Sequence, residues 1–68
     1  MIHKANVIAQ FFEAYTREEA IEGIRNHIQL YWVPRMRQQL HEYIEHGGEG
    51  LHSTVIEADK RIKQGVIR

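Results

Sequence analysis

The stretch NHIQLYWVPRMR, residues 26–37, decides how this chain folds, because one helical pattern ends in it and the next begins. Pro34 has no amide hydrogen and a fixed φ, so it suits the first turn of a new helix. It also disfavours the α conformation at Val33, which predicts a break in the helical chain there. Tyr31 and Trp32 therefore lie at a corner of the chain, and Trp32 is its only tryptophan.

Helical patterns fill the chain on both sides of this corner. Apolar residues recur at spacings of three and four, the period of an amphipathic helix. Segments 16–19 (TREE) and 54–57 (TVIE) have the form of a capping box, which predicts a helix start at each. The pair Gly47-Gly48 predicts a helix end. The sequence therefore predicts an all-α fold, a small bundle of about four short helices near 2–14, 17–32, 34–46 and 54–64, in one domain spanning residues 1–68.

Each predicted helix has one apolar stripe that we expect to face the core. The stripes consist of Ala5, Ile8, Ala9, Phe12 and Tyr15; Ala20, Ile21, Ile24, Ile28 and Tyr31; Met36, Leu40, Tyr43 and Ile44; and Val55, Ala58, Ile62 and Val66. Gly23 costs its helix up to about 1 kcal/mol relative to alanine, which indicates the close approach of another helix there. A second apolar row, Val7, Phe11 and Ala14, is either covered by the fourth helix or offered to another protein.

Length and composition limit what the chain can do. A domain of 68 residues buries only about 60% of its unfolded surface, so a partner, either another protein or a second copy, is expected. The sequence has no cysteine, and nine basic residues balance nine acidic ones. Disulfides and thiolate chemistry are therefore excluded, and the charge balance argues against nucleic acid as a partner. No apolar run approaches the roughly 20 residues of a membrane span, and a cytoplasmic location is expected.

No local pattern predicts catalysis. His41 and His46 are five residues apart, whereas two histidines on one helix must be four apart to face one metal ion. No serine or lysine has a base beside it, so we expect neither an enzyme nor a resident metal or cofactor. One alternative is a stand-alone protein-binding or DNA-binding module, since Arg35 and Arg37 begin a helix after a short break, as in a helix-turn-helix.

Five ordered segments resemble one known family. They are NVIAQFF at 6–12, REEA at 17–20, NHI at 26–28, WVPRMR at 32–37 and GGEGL at 47–51. Together, over residues 4–56, they are similar to the delta subunit of NAD-dependent, molybdenum-containing formate dehydrogenases.

The resemblance implies an accessory subunit without catalytic residues or a cofactor of its own. In that family the alpha subunit carries bis-molybdopterin guanine dinucleotide and iron–sulfur clusters, and the other subunits carry FMN, further clusters and the NAD site. The implied role is to bind the catalytic alpha subunit and to support assembly, maturation or stability of the complex.

We expect the partner surface to be centred on the corner. The predicted contacts are Trp32, Pro34, Arg35 and Arg37, flanked by Val7 and Phe11 of the first helix. Tryptophan, tyrosine and arginine contribute most to the free energy of protein interfaces, and the chain collects them next to a rigid turn. In the alternative interpretation Trp32 simply fills the base of the bundle, as a single tryptophan in a small domain usually does.

Overall fold

Four helices make up the computed structural model, which describes residues 1–63. They are α1 (Ile2–Phe11), α2 (Arg17–Tyr31), α3 (Pro34–Glu45) and α4 (Ser53–Lys63). The described part of the chain contains no strand, which confirms the predicted all-α bundle. The capping box that begins α2 is formed: Thr16 Oγ1 accepts from the Glu19 amide, and the Glu19 carboxylate accepts from the Thr16 amide, both at 3.2 Å.

The first helix is shorter than predicted and ends at Phe11. The amides of Phe12 and Glu13 donate to carbonyls three residues back, each at 3.1 Å, so the chain tightens into a turn. This turn is needed to reverse the chain before α2 starts. The helical period therefore does not extend to Tyr15, and the prediction that Tyr15 belongs to the buried stripe was wrong, since its side chain is exposed.

The fourth helix begins at Ser53, in agreement with a predicted start near residue 53 or 54. The amides of Val55 and Ile56 donate to the His52 carbonyl. Thr54 therefore lies inside the first turn, and the predicted capping box at 54–57 was wrong. The predicted inner face is confirmed at Val55, Ala58 and Ile62, which are buried. The predicted helix end at residue 64 and the inner position of Val66 lie outside the described residues.

The core is formed where α4 packs against α2, with α1 and α3 at the sides. Buried apolar side chains come from all four helices and from the corner: Ala5, Ala9, Ile21, Ile24, Ile28, Trp32, Leu40, Val55, Ala58 and Ile62. A close approach is present at Gly23, but the neighbour is the ring of Phe12, which follows the end of α1, and not another helix as predicted. A Cβ atom added at Gly23 would lie 2.6 Å from Phe12 Cζ.

The glycine-rich loop between α3 and α4 is held against the first helix. Gly47, Gly48 and Gly50 have positive φ angles, and α3 ends at Glu45 just before them, which confirms the helix end predicted from Gly47-Gly48. Asn6 of α1 then spans the loop, since its Nδ2 donates to the Gly50 carbonyl at 2.8 Å and its Oδ1 accepts from the His52 amide at 3.1 Å. One side chain thus ties the start of α4 to α1.

Polar contacts also attach α4 to α2 and to α3. Arg61 donates to both carboxylate oxygens of Glu18, at 2.7 and 3.1 Å, and also to Glu22. The arginine hydrogen bonds lower the pKa of both carboxyls, and the two carboxylates raise the pKa of Arg61. On the side of α3, Nδ1 of His41 donates to Asp59 Oδ2 at 2.8 Å, which gives the buried carboxylate of Asp59 a partner.

The contact between Gly23 and Phe12 predicts the effect of adding a methyl group. Gly23→Ala should lower the free energy of unfolding by about 1–3 kcal/mol through overpacking, although alanine favours a helix by about 1 kcal/mol. Urea denaturation followed by circular dichroism measures this. In a Phe12→Leu background the same substitution should cost less or become stabilising. Equal costs in the two backgrounds would show that the ring is not the obstacle.

The lowered pKa values of Glu18 and Glu22 predict a loss of stability in acid. The ordinary pKa of a glutamate carboxyl is 4.5, and the folded state holds both of these carboxyls below it. Because the folded state binds protons at these carboxyls less readily than the unfolded state, the contribution is complete above about pH 5 and disappears as pH falls through the lowered values. Thermal melting between pH 7 and pH 3 should therefore show a shallower acid dependence for Arg61→Gln than for the wild type. Arg17→Gln is the control, since Arg17 donates to Ser53, and it should keep the wild-type profile.

Candidate functional site

Trp32 turns inward at the corner. It is the C-cap of α2, with φ −91° and ψ 134°, and its amide still donates to the Ile28 carbonyl at 3.0 Å. Only 7% of the residue is exposed. The ring therefore fills the base of the bundle, as the alternative interpretation expected, and a partner would reach only its edge.

Tyr31 and its neighbours face outward instead. Tyr31 was predicted in the buried stripe of α2, and this was wrong, because the residue is 72% exposed. The interior position at this end of α2 is taken by Trp32, and the Tyr31 ring packs on His27 at a centroid distance of 4.9 Å. Leu30 is 75% exposed, and Val33 is also exposed. None of these three residues was among the predicted contacts.

An open groove lies between the start of α1 and the end of α2. Lys4 and Val7 line it from α1, His27 and Tyr31 line it from α2, and Trp32 lies at its base. Its volume is about 380 Å³. Such a depression is near the lower end of the range for small-ligand sites, and it is large enough to accept apolar side chains of another protein.

The outer row of α1 extends this apolar surface. Val7 and Phe11 are one helical turn apart, and both are exposed, Phe11 at 72%. The fourth helix therefore leaves them uncovered within the described part of the chain. Phe11 contacts Phe12 edge to face, at 5.1 Å between ring centroids, so its position is fixed although its outer face meets solvent.

The start of α3 contributes Pro34 and Arg35, which are both exposed. Arg37 is half-buried, and its Nη1 donates to the Gln29 carbonyl at 3.0 Å. A cation at this place stabilises the C-terminal end of α2. Of the two arginines predicted as contacts, Arg37 thus has an internal structural role and Arg35 points to solvent. Whether either binds a partner stays a prediction.

Charge is distributed unevenly although the net charge is zero. Residues 1–12 and 23–41 contain no acidic residue, and all nine carboxylates lie elsewhere in the sequence. The two acid-free segments meet where α1 begins and α2 ends, since residues of both helices line the groove, and α3 begins two residues after Trp32. This end of the molecule is therefore basic and apolar. The acid-free segments are visible in the sequence, but the balanced total charge obscured them.

Neither a metal centre nor a membrane segment is found in residues 1–63. No three side chains among His, Cys, Asp and Glu are grouped so that they could hold a metal ion in this range. Nε2 of His41 lies 3.1 Å from Glu45 one helical turn away, whereas Nδ1 of His46 bonds to the backbone carbonyl of Glu42 at 2.8 Å. No described helix has both the length and the apolar content needed to span a bilayer.

Comparison with protein families identifies the chain. The model of the family described as "NADH-dependant formate dehydrogenase delta subunit FdsD" matches residues 1–58. The chain belongs to this delta subunit family. The match includes the corner, the groove and most of α4, so the surface described above is part of the region that defines the family. No curated protein and no solved structure matched the delta subunit.

At the corner of the delta subunit, buried apolar residues should contribute to stability and exposed ones should not. Trp32→Ala should lower the free energy of unfolding by about 3–5 kcal/mol. Because a domain of this size is only marginally stable, most molecules of this variant should be unfolded. Leu30→Ala, two residues away, should change it by no more than about 0.5 kcal/mol. Urea denaturation measures both values. If the two substitutions cost the same, the inward orientation of Trp32 is incorrect.

Proposed function

We propose that this delta subunit is a non-catalytic accessory subunit of a cytoplasmic, NAD-dependent molybdenum formate dehydrogenase. It binds the catalytic alpha subunit and supports assembly, maturation or stability of the complex. The observation that carries this proposal is the family match over residues 1–58. The small core and the uncovered apolar corner support it, because a chain of this size gains stability from a partner.

The docking surface is the corner end of the bundle, which consists of the start of α1, the end of α2 and the start of α3, with the outer row of α1 beside it. We propose that Val7, Phe11, Pro34 and Arg35 contact the alpha subunit directly. Trp32 and Arg37 hold the corner rigid, since one fills the base of the bundle and the other bonds to the end of α2. Leu30, Tyr31 and Val33 enlarge the contact area. A rigid site with exposed aromatic and apolar side chains costs little conformational entropy on binding.

The redox chemistry belongs to the other subunits. We propose that the delta subunit binds no cofactor and that its partners hold bis-molybdopterin guanine dinucleotide, iron–sulfur clusters, FMN and NAD. The composition supports this division, since the chain has no cysteine with which to hold an iron–sulfur cluster. The delta subunit would act on these centres only through the protein that carries them.

Exposed apolar residues of the corner provide a test of docking. Val7→Ser with Leu30→Ser should abolish co-purification of the tagged delta subunit with the alpha subunit from co-expressing cells. The reason is the loss of apolar contact area at Val7, which lines the groove, and at Leu30, which is exposed near the end of α2. The melting temperature of the isolated variant should change little, because neither side chain belongs to the buried core.

Tyr15→Ser is the matched control. Tyr15 is an exposed aromatic residue in the turn between α1 and α2, at the other end of these helices from the groove, and its ring packs on Phe12. It therefore tests whether loss of any exposed ring beside α1 is enough to prevent binding. This variant should co-purify as the wild type does. Retention of the alpha subunit by the double variant would contradict docking at the corner.

A further inference from the structure

The cations at the corner end lack acidic neighbours. Elsewhere in the described chain, three cations are paired with carboxylates: Arg61 with Glu18 and Glu22, Arg25 with Glu22, and Lys60 with Glu57. Arg17 and Arg37 donate to neutral oxygens instead. No ion pair involves Lys4 or Arg35 among residues 1–63. Both lie in acid-free segments of the sequence, so no carboxylate of the same segment is available to them.

Helix dipoles add positive charge at the same end. The first turns of α1 and α3 contain no acidic residue, whereas α2 has Glu18 and Glu19 in its first turn. Lys4 and Arg35 lie near the positive ends of α1 and α3, where a cation is unfavourable and an anion is favourable. Lys4 and the start of α1 thus place positive charge at the groove itself, and Arg35 follows three residues after Trp32, which lies at its base. The C-terminal end of α2 also borders the groove, and Arg37 offsets its negative charge by bonding to the Gln29 carbonyl.

We infer that the corner end of the delta subunit binds an apolar segment that carries carboxylates on the partner subunit. This inference rests on the proposed function and specifies the chemistry of the bound surface. Apolar side chains of the segment occupy the groove above Trp32 and contact Leu30 and Tyr31. Its carboxylates lie beside Lys4 and Arg35. Opposite charges at the edge of an interface accelerate association and fix its orientation.

Two other occupants fit the surface less well. A small anion would contact the groove but would leave Phe11, Leu30 and Val33 exposed, because these extend the apolar surface beyond it. A second copy would have to supply carboxylates of its own. The largest acidic cluster of the chain, around Glu18 and Glu22, is already bonded to Arg61 and Arg25.

Charge reversal tests the inference. Lys4→Glu with Arg35→Glu is compared with Lys60→Glu with Arg17→Glu, which makes the same change in net charge at exposed positions outside the corner. The probe is the formate dehydrogenase complex purified from cells that lack the delta subunit, immobilised on a biosensor. We expect the corner reversal to weaken binding by at least about tenfold and the control reversal by less than about twofold.

Salt provides a second readout. The affinity of the wild type should fall as the salt concentration rises from about 50 to 300 mM, because screening weakens attraction between exposed charges. For the corner reversal this dependence should vanish or change sign, since the new carboxylates would repel those of the partner. The control reversal should keep the wild-type dependence.

Each other result overturns the inference in a distinct way. If the wild type binds the complex and both reversed variants bind equally well, the partner surface is not acidic, although the proposed function stands. If the wild type does not bind the complex at all, both are wrong. If sedimentation shows dimers of the wild type that the corner reversal dissociates, while the complex binds both variants equally, the occupant is a second copy.

Discussion

The inward turn of Trp32 determines most of the structure around it. Its backbone leaves the helix at the C-cap of α2, so the indole fills the base of the bundle where the next helical residue would otherwise point. Pro34 then starts α3 at once, because it prevents α2 from continuing. This geometry brings Arg37 onto the Gln29 carbonyl and leaves Tyr31 outside.

The fourth helix is held on α2 and α3 by contacts of two kinds. Val55, Ala58 and Ile62 pack into the common core, while Arg61 and Asp59 bond to side chains of α2 and α3. Apolar packing supplies most of the free energy, and the polar pairs select one orientation for a short helix. Because these pairs use most of the nearby carboxylates within the bundle, the opposite end of the molecule is left positive.

Family and surface together support a binding role. The corner of the delta subunit carries exposed apolar side chains that lie outside the buried core. Such a surface is costly in water, since apolar side chains such as Leu30 and Phe11 gain nothing from solvent. A protein partner that covers it removes this cost.

The sequence by itself determined the helices, the corner and the core stripes, because these depend on local rules: capping at Thr16, the fixed φ of Pro34 and the period of apolar residues. Its segments also indicated the family. Only the tertiary structure decided which apolar residues remain outside. Helical periodicity assigned Tyr31 to the core, but Trp32 occupies that space, and two large rings cannot fill one site. Likewise, only the fold brings residues 1–12 beside residues 23–41. The two acid-free segments form one positive end of the molecule for this reason.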